Sequence, residues 1–319
     1  MVGEPLRVLL VAAEAAGAHV LRVIEAVGCS VAGLLMSAGE GGERPLGNGV
    51  RATADRLGCP VGPARSVRDP AFADTIRAAR VDVLLNVHSL YVIRGEILAA
   101  PRIGSFNMHP GPLPEGAGLN AVSWALYDGR HEHAVTVHWM APGIDTGPVA
   151  YEARMPITEQ DTAFTLSAKC VKAGVPLIER LLTTAAADLG AIPVIAQDLT
   201  RRRYRGREIP QDGRLDWSRT AREIVGFVRA CDYGPYTSPW GRPQGSIAGR
   251  EVSVIKAACT GIVSDAAPGT VGAIADRGVL VSAADEWVLV QRVLLDGRGL
   301  DASEALRPGL QFDAAGALV

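Results

Sequence analysis

Apolar runs and helical periods alternate along the first 190 residues. Residues 6–12 (LRVLLVA) form a short continuous apolar run, as expected of a strand covered on both faces. Residues 19–27 carry helical spacing, and 30–36 (SVAGLLM) predict a second strand. Residues 37–49 (SAGEGGERPLGNG) read as a glycine-rich loop, and 51–57 and 69–80 as helices. Residues 81–87 (VDVLLNV) predict another buried strand, and 104–109 a strand ending in Asn-Met-His. A short helix over 119–127, an alternating strand over 134–140 and a long helical stretch over 161–189, broken near Gly174 and Pro176, complete the pattern. Strands alternating with helices predict an α/β fold with a doubly wound, mostly parallel sheet. Such sheets bind ligands beyond the carboxyl ends of their strands.

From about Arg201 the rhythm changes. Residues 216–230 (DWSRTAREIVGFVRA) read as an amphipathic helix capped by Ser218, with Ile224, Val225, Phe227 and Val228 as its apolar stripe. Short alternating runs follow at 246–255, 270–274, 279–282 and 287–293, separated by Gly, Asp and Pro. That spacing predicts a small, mainly antiparallel β barrel or sandwich. The boundary falls near 190–205, giving a catalytic domain over 1–200 and a mainly β domain with one leading helix over 201–319.

Hydrophobic residues make up 48% and charged residues 21% of 319, enough to bury a full core. The formal net charge of −2 implies no global attraction to nucleic acid or an anionic membrane. Five scattered cysteines without a C-x-x-C read as reduced thiols. No apolar run reaches membrane-spanning length, and residues 1–7 lack the features of a secretory signal, so a cytoplasmic location is expected. The glycines at 39, 41 and 42 and the turn after the first strand form neither a phosphate loop nor a dinucleotide fingerprint. His131-Glu132-His133 reads as a solvated loop, so no metal is expected, and Arg201-Arg202-Arg203 reads as a solvated linker.

The chemistry concentrates at Asn107-Met108-His109, which opens into Pro110-Gly111-Pro112-Leu113-Pro114, and at Gly143-Ile144-Asp145-Thr146-Gly147. An amide, an imidazole and a carboxylate are thus offered from two turn-rich segments. Together they could polarise a carbonyl and move a proton. No G-x-S-x-G is present to make a covalent intermediate necessary.

With these flanks, FNMHPGPLP followed by GIDTG resembles the folate-dependent formyltransferase superfamily, and RLDWSRTAREIVGFVRACDYGPYTSPWG resembles the opening of the C-terminal domain of its tRNA and amino-sugar members. The resemblance implies 10-formyltetrahydrofolate as donor, an amine acceptor and no metal. It implies that Asn107 stabilises an oxyanion, that His109 polarises or deprotonates, and that Asp145 orients His109 or relays protons. The implied folate segments are Ser89, Leu90, Tyr91 and Val92, and Met140, Ala141, Pro142, Gly143 and Ile144. Gly111, Pro112 and Leu113, with the loop aromatics Tyr233, Tyr236 and Trp240, are the candidate acceptor contacts. The chain also departs from the superfamily pattern. Gly111 stands where a serine is common, the arginine that often follows is missing, and 37–49 carries Arg44 against Glu40 and Glu43. A loop that contacts phosphates should be basic. A small amine on an amino sugar, nucleotide sugar or natural-product intermediate is therefore expected over methionyl-tRNA. Hydrolysis of formyl-folate is a further alternative, disfavoured because the chain begins at the first strand. A homodimer is left open.

Overall fold

The computed structural model of the chain describes residues 4–12, 14–36, 48–89 and 91–313. Its first half runs β1 (Arg7–Ala12), α1 (Glu14–Ala26), β2 (Ser30–Met36), α2 (Asn48–Arg56), β3 (Val61–Pro63), α3 (Phe72–Ala78), β4 (Val83–Val87), α4 (Gly95–Leu98) and β5 (Gly104–His109). There follow β6 (Ala117–Gly118), α5 (Ala121–Tyr127), β7 (Glu132–Trp139), β8 (Val149–Pro156), α6 (Ala163–Ala187) and β9 (Tyr204–Arg205). The last third holds α7 (Ala221–Ala230), β10 (Gln244–Ile247), β11 (Arg250–Val263), β12 (Val271–Ala275), β13 (Gly278–Ser282), β14 (Glu286–Leu295), β15 (Arg298–Asp301) and α8 (Ala302–Ala305).

One compact unit comprises the chain to Gly118, His133–Met155 and Ala168–Tyr204. Its sheet has the order β3-β2-β1-β4-β5-β7-β8. The strands from β3 through β5 pair in parallel, and β7 lies antiparallel to β5. Val8, Leu10, Val11, Val83, Leu84 and Leu85 are inaccessible, as continuous apolar runs covered on both faces should be. The parallel pairing puts Asn86 beside Asn107 and ends β4 and β5 at the same edge.

The expectations for this part of the chain need correction at two points. Strands β3 and β8 were not anticipated, because VGP is too short and VAYEARMP too polar to stand out as buried runs. Helix α6 continues through Gly174 and Pro176. An internal proline costs a helix about 3 kcal/mol; here inaccessible Leu166, Cys170, Ile178, Leu181 and Leu182 anchor the helix on both sides of it. Gly174 is a point of close approach, since a Cβ there would lie 2.6 Å from Met108 Sδ and 3.0 Å from Val135 Cγ2.

The second unit comprises Leu119–Glu132, Pro156–Ser167 and the chain from Arg205. It contains an antiparallel sheet ordered β10-β11-β14-β13-β12, with β15 added to β14. Helix α7 begins at Ala221, capped by Thr220 and Glu223 in a reciprocal capping box. Ser218 is not the cap, because its hydroxyl is used locally on Asp216 at 2.6 Å. Helices α5 and α7 come close enough that a Cβ on Gly226 would lie 3.0 Å from the Leu126 carbonyl oxygen. Around them, Trp124, Tyr127, Phe227 and Trp240 pack with ring centroids 4.7 to 6.4 Å apart.

Candidate active site

Asn107 and His109 are one turn of the pleat apart on β5, so both project from the same face. Each is buried. The Asn107 amide nitrogen reaches His138 Nε2 at 3.2 Å and Asp145 Oδ1 at 3.4 Å, while its oxygen accepts from the Asn86 amide at 3.0 Å. His138 lies directly opposite Asn107 on β7. Its Nδ1 sits 2.8 Å from the Trp139 carbonyl and must donate there, which leaves the neutral Nε2 to accept from Asn107. Asn86 and His138 together fix the amide so that its N–H groups point toward Asp145.

His109 Nε2 lies 2.7 Å from the Gly116 carbonyl and must be the protonated nitrogen of the neutral ring. Its Nδ1 is then the basic atom, and it faces Asp145 Oδ2 at 3.7 Å. Burial pushes the His109 pKa below its ordinary value; Asp145 and the Gly116 carbonyl offset this only in part. The ring is therefore neutral near pH 7 and able to take a proton. Burial alone would raise Asp145, but His109, His138 and the Gly118 amide, which donates at 2.8 Å, outweigh it and hold the carboxylate well below its usual range.

The turn that carries Asp145 is itself unusual. Asp145 has φ +54°, in the left-handed region that non-glycine residues enter uncommonly, Asn and Asp most readily. Gly147 closes the turn against β7, where a Cβ would lie 1.9 Å from the Trp139 carbonyl oxygen. Residues 51–182 match the model of the formyl transferase family, and residues 209–308 match its C-terminal domain. The chain belongs to the formyltransferase family.

Solved structures agree on the fold of this formyltransferase. The N-formyltransferase from Helicobacter canadensis, in complex with folinic acid and dTDP-3-aminofucose, is 16% identical and aligns over 90% of this chain and 99% of its own, with a TM-score of 0.68. WlaRD, a sugar 3N-formyl transferase in the presence of dTDP and 5-N-formyl-THF, gives 16%, 91%, 98% and 0.68. HypX from Aquifex aeolicus, in complex with tetrahydrofolic acid, gives 16%, 95% and 0.63, with only 47% of its own chain covered.

The formyltransferase's expected folate segments lie at strand ends. Ser89 and Tyr91 are half-buried, with the Ser89 hydroxyl 3.5 Å from the Tyr91 amide, and Val92 is exposed. Leu90 lies outside the described residues, as do residues 37–47 of the loop weighed for tRNA contact. Met140 and Ala141 are half-buried, whereas Pro142, Gly143 and Ile144 are exposed. Beside His109, one residue past the paired Val87 and Met108, stands His88 with φ +57° and a buried Nε2 that has no partner. Burial, aided by the charge on His109, lowers its pKa to about 4.

Gly111 and Leu113 are buried and Pro112 half-buried; the Gly111 and Pro112 carbonyls accept from Thr136 Oγ1 and the Gly116 amide. In the second unit, the Tyr233 hydroxyl bonds Ser123 at 2.9 Å and Tyr236 packs on Phe164. The expectation for Trp240 needs correction. At 3% exposure its ring is spent on the cluster with Trp124, Tyr127 and Phe227, leaving no open face for a ligand.

Asn86, His138 and Gln197 were missed in the sequence. A polar residue inside VDVLLNV and a histidine inside AVTVHW were the available signals for the first two. Gln197 carried none. Among the described residues no three His, Cys, Asp or Glu side chains are grouped to hold a metal, and no helix is long and apolar enough to cross a membrane. A surface depression lined by Leu6, Asp82, Arg102 and residues 185–189 lies where β1, β4 and β5 begin, away from this chemistry.

Proposed function

We propose that this formyltransferase moves a formyl group from 10-formyltetrahydrofolate to the primary amine of a small acceptor, with Asn107, His109 and Asp145 as the reacting groups. The convergence of these three side chains, with Asp145 within 3.4 Å of Asn107 and 3.7 Å of His109, carries the reading. As the amine adds to the formyl carbon, negative charge develops on the formyl oxygen, and an Asn107 N–H released from Asp145 or His138 donates to it. His109 Nδ1 takes the proton that the amine loses, and Asp145 stabilises the resulting imidazolium. The departing folate nitrogen gains a proton as its bond to the formyl carbon breaks. No covalent bond to the protein forms.

The donor fits what the strand ends offer. The unpartnered His88 Nε2 suits a polar ring atom, and exposed Val92 and Ile144 suit the flat faces of a heteroaromatic ring. An amino sugar, a nucleotide-linked amino sugar or a natural-product amine is the acceptor class. Two features of the loop after His109 favour it over tRNA: Gly111 stands where a serine is common, and the arginine that often follows is missing.

The test supplies 10-formyltetrahydrofolate with a panel of nucleotide-linked amino sugars, amino-acid-derived amines and aminoacylated initiator tRNA, and measures tetrahydrofolate release and formylated product. Product with a small amine is expected. Release at the same rate without any amine would make the protein a hydrolase, and product with tRNA alone would overturn the acceptor class.

A further inference from the structure

The residues that hold the Asp145 turn from behind come from 50 positions further along the chain. The Gln197 side-chain amide donates to two carbonyl oxygens at once, Asp145 at 3.0 Å and Gly147 at 2.6 Å. Arg202 donates to the carbonyl of Ile144 at 2.9 Å, with its guanidinium over the Tyr204 ring. The same segment grips the loop that follows His109: Arg201 pairs with Glu115, and the Arg203 amide donates to the Pro114 carbonyl at 3.3 Å. Residues 197–203 therefore tie together the two loops that must present His109 and Asp145 to each other.

A left-handed, non-glycine residue two positions before the close backbone approach at Gly147 gains from support outside its own turn. Within the turn itself, Thr146 reaches the Gly143 carbonyl through its amide at 3.4 Å and its hydroxyl at 3.0 Å, and neither contact holds Asp145 or Gly147. One planar amide with two N–H groups satisfies both the Asp145 and the Gly147 carbonyls. We infer that Gln197 is a positioning residue for formyl transfer, setting the left-handed turn that aims the Asp145 carboxylate at His109 and Asn107. It touches neither donor nor acceptor. The inference rests on the catalytic reading above for its effect on rate, but not for its effect on the geometry of the site.

Gln197→Met keeps the length of the side chain and removes both N–H donors. A displacement of about 1 Å in a reacting group can cost on the order of 100-fold in rate. We expect kcat to fall 10- to 100-fold, with KM for the amine within about threefold of wild type. The second readout is the titration of His109, followed by NMR of its ring in the free protein. His109 is faced by Asp145 from the turn, by His138 and His133 from β7, and by His88 from the end of β4. Asp145 is the one group among these that raises its pKa, so releasing the turn should move the His109 titration to lower pH, whereas general loosening that admits water would move it up, toward the ordinary imidazole value. Should Gln197→Met not accumulate folded, Gln197→Asn retains the amide but falls one methylene short of both carbonyls, and the same two shifts are expected. An unmoved or raised His109 titration in a folded variant overturns the inference. A lowered titration in a protein that transfers no formyl group to any amine leaves Gln197 as the holder of the turn and rejects the catalytic reading instead.

Discussion

Two side-chain clusters in this protein are opposite in kind. At the end of β5, Asn86, Asn107, His109, His138 and Asp145 crowd together, nearly every contact is polar, and one backbone position is held in a left-handed conformation. In the second unit, Trp124, Tyr127, Phe227 and Trp240 pack their rings edge-on. The aromatic cluster gains from apolar burial and ring geometry and asks nothing of its backbone. The polar cluster gains little, because buried polar groups must first recover what they lose in leaving water. Its contacts are long by hydrogen-bond standards, at 3.2 to 3.7 Å between Asn107, His109, His138 and Asp145. Such a cluster makes sense as a place where protons and charge are to move, and the aromatic one as a place where nothing should.

The sharpest break between the two comes from removing a member of each. His109→Ala should lower formyl transfer by about 10²- to 10⁴-fold while shifting the melting temperature by only a few degrees. Phe227→Ala should do the reverse, costing about 3–5 kcal/mol of stability in denaturant titration while kcat per folded molecule stays within roughly twofold. If instead His109→Ala unfolds the protein or Phe227→Ala abolishes turnover in folded protein, the division of labour fails. A milder test is the pH profile of kcat/KM. His109 must be neutral to accept a proton, and its pKa is lowered, so the acidic limb should fall below about pH 6.5. Asp145→Asn removes the charge that raises His109 and should move that limb lower still; a limb at or above 6.5 would contradict the assignment of His109 as base. The smallest effect is in the second unit: Thr220→Ala removes the cap of α7 and should cost about 1 kcal/mol with no change in the pH profile.

Much of this was legible before any coordinates. Runs such as LRVLLVA and VLLNV are strands because only a sheet covered on both faces wants unbroken apolar character, and the Asn-Met-His motif sits at a strand end as the alternation of elements implies. The partners of the motif were less legible. Asn86 and His138 meet Asn107 through strand register, which links residues 21 and 31 positions away by backbone pairing that periodicity does not encode. Gln197 lies in an irregular segment, where no pattern marks one amide as the support of a turn. Trp240 looked like a loop aromatic because its neighbours are Gly and Pro; only the packing of α5 on α7 shows that the loop folds inward. The uninterrupted α6 misled for a related reason, since proline's local penalty is visible in sequence and the burial that offsets it is not.

Between Asn107 and His109 sits Met108, which points to the other face of the sheet, and there it meets Gly174 of α6. The strand that presents the two candidate reacting groups is thus backed by a helix that contributes no atom to the reaction. A side chain at Gly174 would press on the Met108 sulfur and on Val135, so the thioether has to move aside or the strand behind the amide and the imidazole has to shift. The helix backbone at Gly174 thus lies directly behind the strand that carries the motif.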